Sequence, residues 1–168
     1  QWVHHPFDGD GMITAIKFEN GKVSLTNKFV KTNGFLKEKK ADKFIYRGVF
    51  GTQKKGGLIN NIFDLNFKNI ANTHVIKLGN ELLALWEAAG PHALNPDNLE
   101  TIGLTTLQGA LKRNEAFSAH PKMDFNSSSA SKVLVTFGVQ TGPKSTIRLM
   151  EFSNSGDNSG KILFDRKD

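Results

Sequence analysis

The sequence predicts an all-β fold, on three observations. Short β-rich runs recur about every 10–15 residues and are separated by turn signals. Glu19-Asn20-Gly21 stands between two such runs, and Asn-Gly readily takes the positive φ values that a tight hairpin turn requires. Residues 132–139 alternate, so that Val133, Val135, Phe137 and Val139 share one side. Strands spaced in this way suit a sandwich, a barrel or a propeller, and no internal repeat selects among them.

The elements follow in order. Residues 12–18 and 22–30 are the two arms of the hairpin. Residues 35–43 read as a short exposed helix with Asn33 or Gly34 at its cap. Residues 44–50 are expected to form a strand. Residues 75–78 and 81–87 pair about a Gly79-Asn80 turn, and residues 107–113 carry a second helical pattern. Residues 146–152 alternate with Ile147 and Leu149 on one face, a Ser/Asn/Gly-rich loop covers 154–160, and residues 161–165 form a last strand. The Ser-rich stretch 126–131 reads as a loop rather than a linker, so residues 1–168 are expected to be one partial domain. The chain opens on Gln1 directly into β-rich sequence and closes on a strand, which suggests a fragment open at both ends.

Composition narrows the chemistry. The 168 residues are 38% apolar and 23% charged, as in a water-soluble globular protein. The absence of cysteine excludes disulfides and thiolate metal sites. No apolar run reaches the roughly 18–20 residues that cross a bilayer, and no signal peptide is read. The net charge of +6 is concentrated: residues 17–55 hold eleven Lys/Arg against three Asp/Glu. A solvated face is the ordinary reading of such a stretch, anionic lipid is a further one, and nucleic acid is disfavoured because no recognition motif accompanies the charge.

Asp8-Gly9-Asp10-Gly11 is not a calcium loop, because alignment to that pattern places Pro6 at the first ligand and Lys17 at the bidentate acid. It reads as a turn in which Gly permits positive φ and Asp bonds local amides. The five histidines, His4, His5, His74, His92 and His120, show no HxH or HxxxH pairing. Neither a nucleophile elbow nor a phosphate-binding glycine loop is present. Trp86-Glu87 ends an apolar run, where a carboxylate is either exposed or the partner of a metal-bound histidine.

Three stretches taken together resemble the carotenoid cleavage oxygenases: Phe7-Asp8-Gly9-Asp10-Gly11-Met12, Leu82-Leu83-Ala84-Leu85-Trp86-Glu87 and Ser118-Ala119-His120-Pro121-Lys122. Tyr46-Arg47-Gly48-Val49-Phe50-Gly51, Lys68-Asn69-Ile70-Ala71-Asn72-Thr73 and Leu99-Glu100-Thr101-Ile102-Gly103 extend the likeness in the same order. Within the family the likeness is greatest to the cyanobacterial apocarotenoid oxygenases that make retinal. The resemblance implies part, about two to three blades, of a seven-bladed β-propeller, with short helices in the dome loops over one end. It implies Fe(II) held by four histidines, with O2 as co-substrate, in a dioxygenase that splits a conjugated double bond into aldehydes. His120 then matches an iron ligand. Glu87 matches a carboxylate orienting a different ligand histidine, one outside this chain. Thr73 matches a residue crowding an open iron position, and Phe7, Phe50 and Trp86 match tunnel aromatics. His4, His5, His74 and His92 do not lie in ligand contexts.

The expected partner is a lipophilic polyene, with peripheral membrane contact and no nucleic acid. The expected location is cytoplasmic or membrane-associated, or a plastid in a photosynthetic eukaryote. A non-catalytic propeller or sandwich module lacking the iron site is the alternative, and a basic β-domain for polyanions is a third reading.

Overall fold

The computed structural model describes residues 2–54, 67–113, 115–124, 133–141, 145–153 and 162–167. Among these, three antiparallel sheets stand in series. The first is a hairpin of β1 (Met12–Glu19) and β2 (Lys22–Phe29). The second is a meander of β3 (His74–Leu78), β4 (Glu81–Leu85), β5 (His92–Leu94) and β6 (Thr101–Leu104). The third runs through β7 (Lys122–Asp124), β8 (Val133–Gln140), β9 (Thr146–Ser153) and β10 (Ile162–Lys167). Strands that neighbour in sequence neighbour in space in both four-stranded sheets, which is the blade pattern of a propeller.

The hairpin forms as its turn chemistry dictates. Asn20 and Gly21 take φ of 50° and 72°, and Glu19 faces Lys22 across the turn. Gly79 likewise takes a positive φ between β3 and β4. Helix α1 (Asn33–Ala41) is capped one residue earlier than expected: the Thr32 hydroxyl oxygen accepts from the Phe35 N–H at 3.1 Å. It ends at Asp42, which turns left-handed at φ 50°.

Three expectations fail for identifiable reasons. Residues 44–50 make no strand, because carboxylates take the N–H groups a ladder would use: Glu38 accepts from Ile45 and Tyr46, and Asp8 accepts from Phe50. Residues 107–113 make turns rather than a helix, since Leu107 and Gln108 both have positive φ. Asp8 bonds amides more than forty positions away rather than local ones, and Gly9 has a negative φ. Gly11 is required by close approach: a Cβ there would lie 2.0 Å from the Ala71 carbonyl oxygen. The expected loops at 126–131 and 154–160 fall outside the described residues.

The main core lies between the second and third sheets, where Leu83, Leu85, Phe117, Leu134, Met150 and Phe152 are buried together. Phe117 and Phe152 are fully enclosed and meet at 5.8 Å between ring centroids; burial of side chains this size stabilises by about 2–3 kcal/mol each. A smaller cluster of Val30, Ala71, Ala84 and Leu94 joins the hairpin to the second sheet. The inward side of β8 is Leu134, Thr136 and Gly138; the face that alternates so clearly in sequence begins at the buried Val133 and becomes exposed at Phe137 and Val139.

Candidate active site

The second and third sheets aim their loops at one point. Thr73 immediately precedes β3, and its N–H donates to the Leu85 carbonyl at 3.1 Å. Trp86 and Glu87 leave the end of β4. His120 lies two residues before β7, on a segment tied to both sheets: the Phe117 N–H donates to Ala89 O and the Ser118 N–H to Phe137 O. Phe7 sits in a one-turn 3₁₀ helix, Pro6–Asp8, whose first turn is capped by His5 Nδ1 accepting from the Phe7 N–H at 3.2 Å. Phe50 comes from the irregular loop after α1.

These six residues, together with Val49, Asn72 and Ala88, enclose a cavity of about 420 Å³. The structure therefore brings together Phe7, Phe50, Thr73, Trp86, Glu87 and His120 from segments far apart in sequence. The aromatic wall is ordered. Phe7 and Phe50 meet edge to face at 5.5 Å, and His5 stacks on Phe50 at 5.1 Å. Trp86 is buried and lines both this cavity and a second, of about 470 Å³, that reaches His92 and Lys68.

The polar end is His120 with Glu87. Glu87 Oε1 lies 2.9 Å from His120 Nε2, and Oε2 accepts from Ser118 Oγ and the Ala119 N–H at 3.4 Å each. A carboxylate partner requires the hydrogen on Nε2, so a metal at that nitrogen would need the carboxylate to move away. Glu87, expected to orient another histidine, is turned to His120 itself, because no other histidine lines this cavity among the described residues. The Thr73 hydroxyl donates to Asn72 Oδ1 at 3.3 Å.

Among the described residues no group of three or more His, Asp or Glu side chains could hold a metal ion. His120 is an accessible imidazole lining an apolar cavity, which fits one position of a mononuclear site and not a whole one. Three other histidines have partners of their own: His74 Nδ1 is 2.9 Å from Ala119 O, His92 is buried beside Asn69, and His5 Nδ1 accepts from the Phe7 N–H.

Asn72 is a further wall residue. Its signal is its place directly before Thr73; its side chain donates to Phe7 O at 3.0 Å and Gly9 O at 2.8 Å. Asp8 is buried behind the wall. Burial pushes its carboxyl up, but N–H donors from Phe50 and Thr52, the Thr52 hydroxyl and the Val49 N–H outweigh this and hold it below the usual range.

Residues 1–167 match the sequence profile of the family described as retinal pigment epithelial membrane protein. The chain is 49% identical over 164 residues to the apocarotenoid-15,15'-oxygenase of Synechocystis, covering 96% of this chain and 33% of that protein. It is 31% identical over 156 residues to carotenoid cleavage oxygenase 1 of Neurospora crassa, covering 93% of this chain and 27% of that protein. The chain spans about a third or less of the length of these relatives. A solved structure of the Synechocystis apocarotenoid oxygenase with a substituted glutamate superposes with a TM-score of 0.90 at 46% identity, over 99% of this chain and 34% of that one. A cobalt-substituted form of that enzyme superposes with a TM-score of 0.89 at 47% identity, over the same shares. These neighbours are seven-bladed β-propellers, and the three sheets here are part of that architecture. By its motifs, its blades and these likenesses, the chain belongs to the carotenoid oxygenase family described as retinal pigment epithelial membrane protein.

Proposed function

We propose that the protein containing this chain cleaves a conjugated carbon–carbon double bond of a carotenoid or apocarotenoid with O2, giving aldehydes such as retinal. The observation that carries this reading is the cavity itself. An apolar chamber walled by Phe7, Phe50 and Trp86 ends on the His120–Glu87 pair. A polyene has no hydrogen-bonding groups along its length, so a rigid aromatic wall that fixes its depth selects the bond presented at the polar end. One O2 splits one C=C, and each new carbonyl keeps one oxygen atom.

Fe(II), held by His120 and by histidines from the rest of the protein, supplies the redox chemistry. Thr73 shapes the space beside His120. Glu87 orients a ligand histidine, and its carboxylate is already held by Ser118 and Ala119. Phe7, Phe50 and Trp86 contact the polyene. Residues 1–168 form one N-terminal-side portion of the propeller; the one-third coverage of the relatives supports the reading that the domain is partial. A lipophilic substrate favours peripheral contact of a cytoplasmic enzyme with a membrane, or a plastid location in a photosynthetic eukaryote. No described helix is long and apolar enough to cross a membrane.

The test is aldehyde formation by the full-length, iron-loaded protein from a set of apocarotenals. His120→Ala should lower both turnover and bound iron by roughly a hundredfold. Wild-type rates in that variant, or no cleavage of any polyene by the native protein, would overturn the proposal.

A further inference from the structure

We propose that Asp8 is a positioning residue that sets the gap between Phe7 and Phe50, and so the bulk of the polyene end group the cavity accepts. The inference rests on the oxygenase reading above and adds the determinant of its specificity. Asp8 does not face the cavity. It is 4% exposed and sits behind the wall, next in sequence to Phe7. Its two carboxylate oxygens divide the loop that carries Phe50: Oδ1 accepts from the Phe50 N–H and Oδ2 from the Thr52 N–H, each at 2.9 Å.

That loop takes other contacts as well: the His4 N–H donates to Thr52 Oγ1, and the Arg47 guanidinium lies 4.7 Å from the Phe67 ring centroid. Residues 44–54 join no strand ladder, and their cross-loop backbone bond runs from the Gly48 N–H to Thr52 O. A loop without ladder partners takes its shape from whatever satisfies its amides. At its near end Glu38 accepts from Ile45 and Tyr46; at its far end Asp8 does the same for Phe50 and Thr52. Gly48 leaves room for this, since a Cβ there would lie 2.2 Å from the Asp8 carboxyl carbon.

The opposite wall is anchored separately. Asn72 donates to Phe7 O and Gly9 O, fixing the Phe7 turn to the segment that enters β3. Phe7 is thus held to the sheet by Asn72, and Phe50 is held to Phe7 by Asp8. The rings meet at 5.5 Å, with His5 packed against both. Release of the Asp8 contacts frees one wall while leaving His120, Glu87 and Thr73 on their own supports.

The test uses Asp8→Asn in the full-length, iron-loaded protein. Asparagine keeps one acceptor but turns an NH2 group toward an N–H donor, so one of the two clamps is lost. Polyene aldehydes with and without a terminal six-membered ring are compared in kcat and KM, and iron content is measured. The expected result is a change of at least about fivefold in the ratio of kcat/KM between the two classes, carried by KM, with kcat within about twofold and iron unchanged. Phe50→Leu should shift the ratio in the same direction. Where Asp8→Asn does not fold, Thr52→Val, which keeps volume and loses the hydroxyl donor, should shift it likewise. An unaltered ratio overturns the inference, as does a joint loss of kcat and iron with the ratio preserved. If the native protein cleaves no polyene, the oxygenase reading fails on its own. Discrimination between the two classes is then read from quenching of Trp fluorescence on binding, and equal discrimination in native protein and variant overturns the clamp.

Discussion

His92 carries the largest pH liability among the described residues. It is 5% exposed, it shares the cavity behind Trp86 with Lys68 and Asn69, and burial lowers its pKa from 6.5 to about 4. The Asn69 amide nitrogen, 3.4 Å from Nδ1, suits a neutral ring that accepts there. The unfolded chain takes up a proton near pH 6.5, whereas the native state resists until about pH 4. Stability is therefore complete above that window and declines as pH falls through it, by about 3 kcal/mol in total. Thermal melts of the full-length protein at neutral pH and near pH 5 measure this. The native midpoint should fall and that of His92→Asn should fall less; equal shifts would remove His92 as the cause. Asp8 acts in the same direction further down the scale, its stabilisation being present above the usual carboxylate range and lost as pH falls below it.

Helix α1 shows how an element is held by caps and charges rather than by its own length. Nine residues are too few for a stable isolated helix. Thr32 caps it, and the buried Lys68 ammonium ties its Glu38 to Asp10 at the start of the hairpin. Thr32→Ala should cost about 1 kcal/mol, read as a lower urea midpoint with an unchanged slope. Lys68→Met leaves two carboxylates without their shared cation and should cost about 3–5 kcal/mol in the same measurement; a loss as small as that of Thr32→Ala would show the triad to be incidental. The hairpin was legible because Asn20-Gly21 determines its own turn. Residues 44–50 were not, because the groups that claim their N–H donors lie on Asp8 and Glu38. β5 and β6 carry no sequence signal, because three or four residues are too short to show a period of two.

At the scale of the whole molecule the two outer faces are the informative feature. On the hairpin, Met12, Ile16, Phe18, Val23, Leu25 and Phe29 all lie on one side and are exposed, Phe18 by 77%. At the other end Phe137, Val139, Ile147 and Leu149 are partly open on the outer side of the third sheet. Faces of this kind are packed against neighbouring blades in a closed propeller, and an isolated sheet leaves them to water. The 168-residue chain expressed alone should bind a hydrophobic dye, self-associate in sedimentation, and retain no stoichiometric iron through gel filtration. A dye-silent monomer holding one iron would show that the described blades are self-sufficient.

The sequence by itself determined the all-β class, the hairpin and the central strands, because periodicity, positive-φ residues and caps answer to neighbours a few positions away. Its ordered motifs also determined the family. Only the tertiary structure decided that segments from Phe7 to His120 close one cavity, that Glu87 meets His120, and that Asp8 and Asn72 brace the wall from behind. Those contacts join residues 33, 44 and 63 positions apart. No local pattern encodes such a separation; it is set when the sheets pack and each buried polar group takes the nearest partner that packing leaves it.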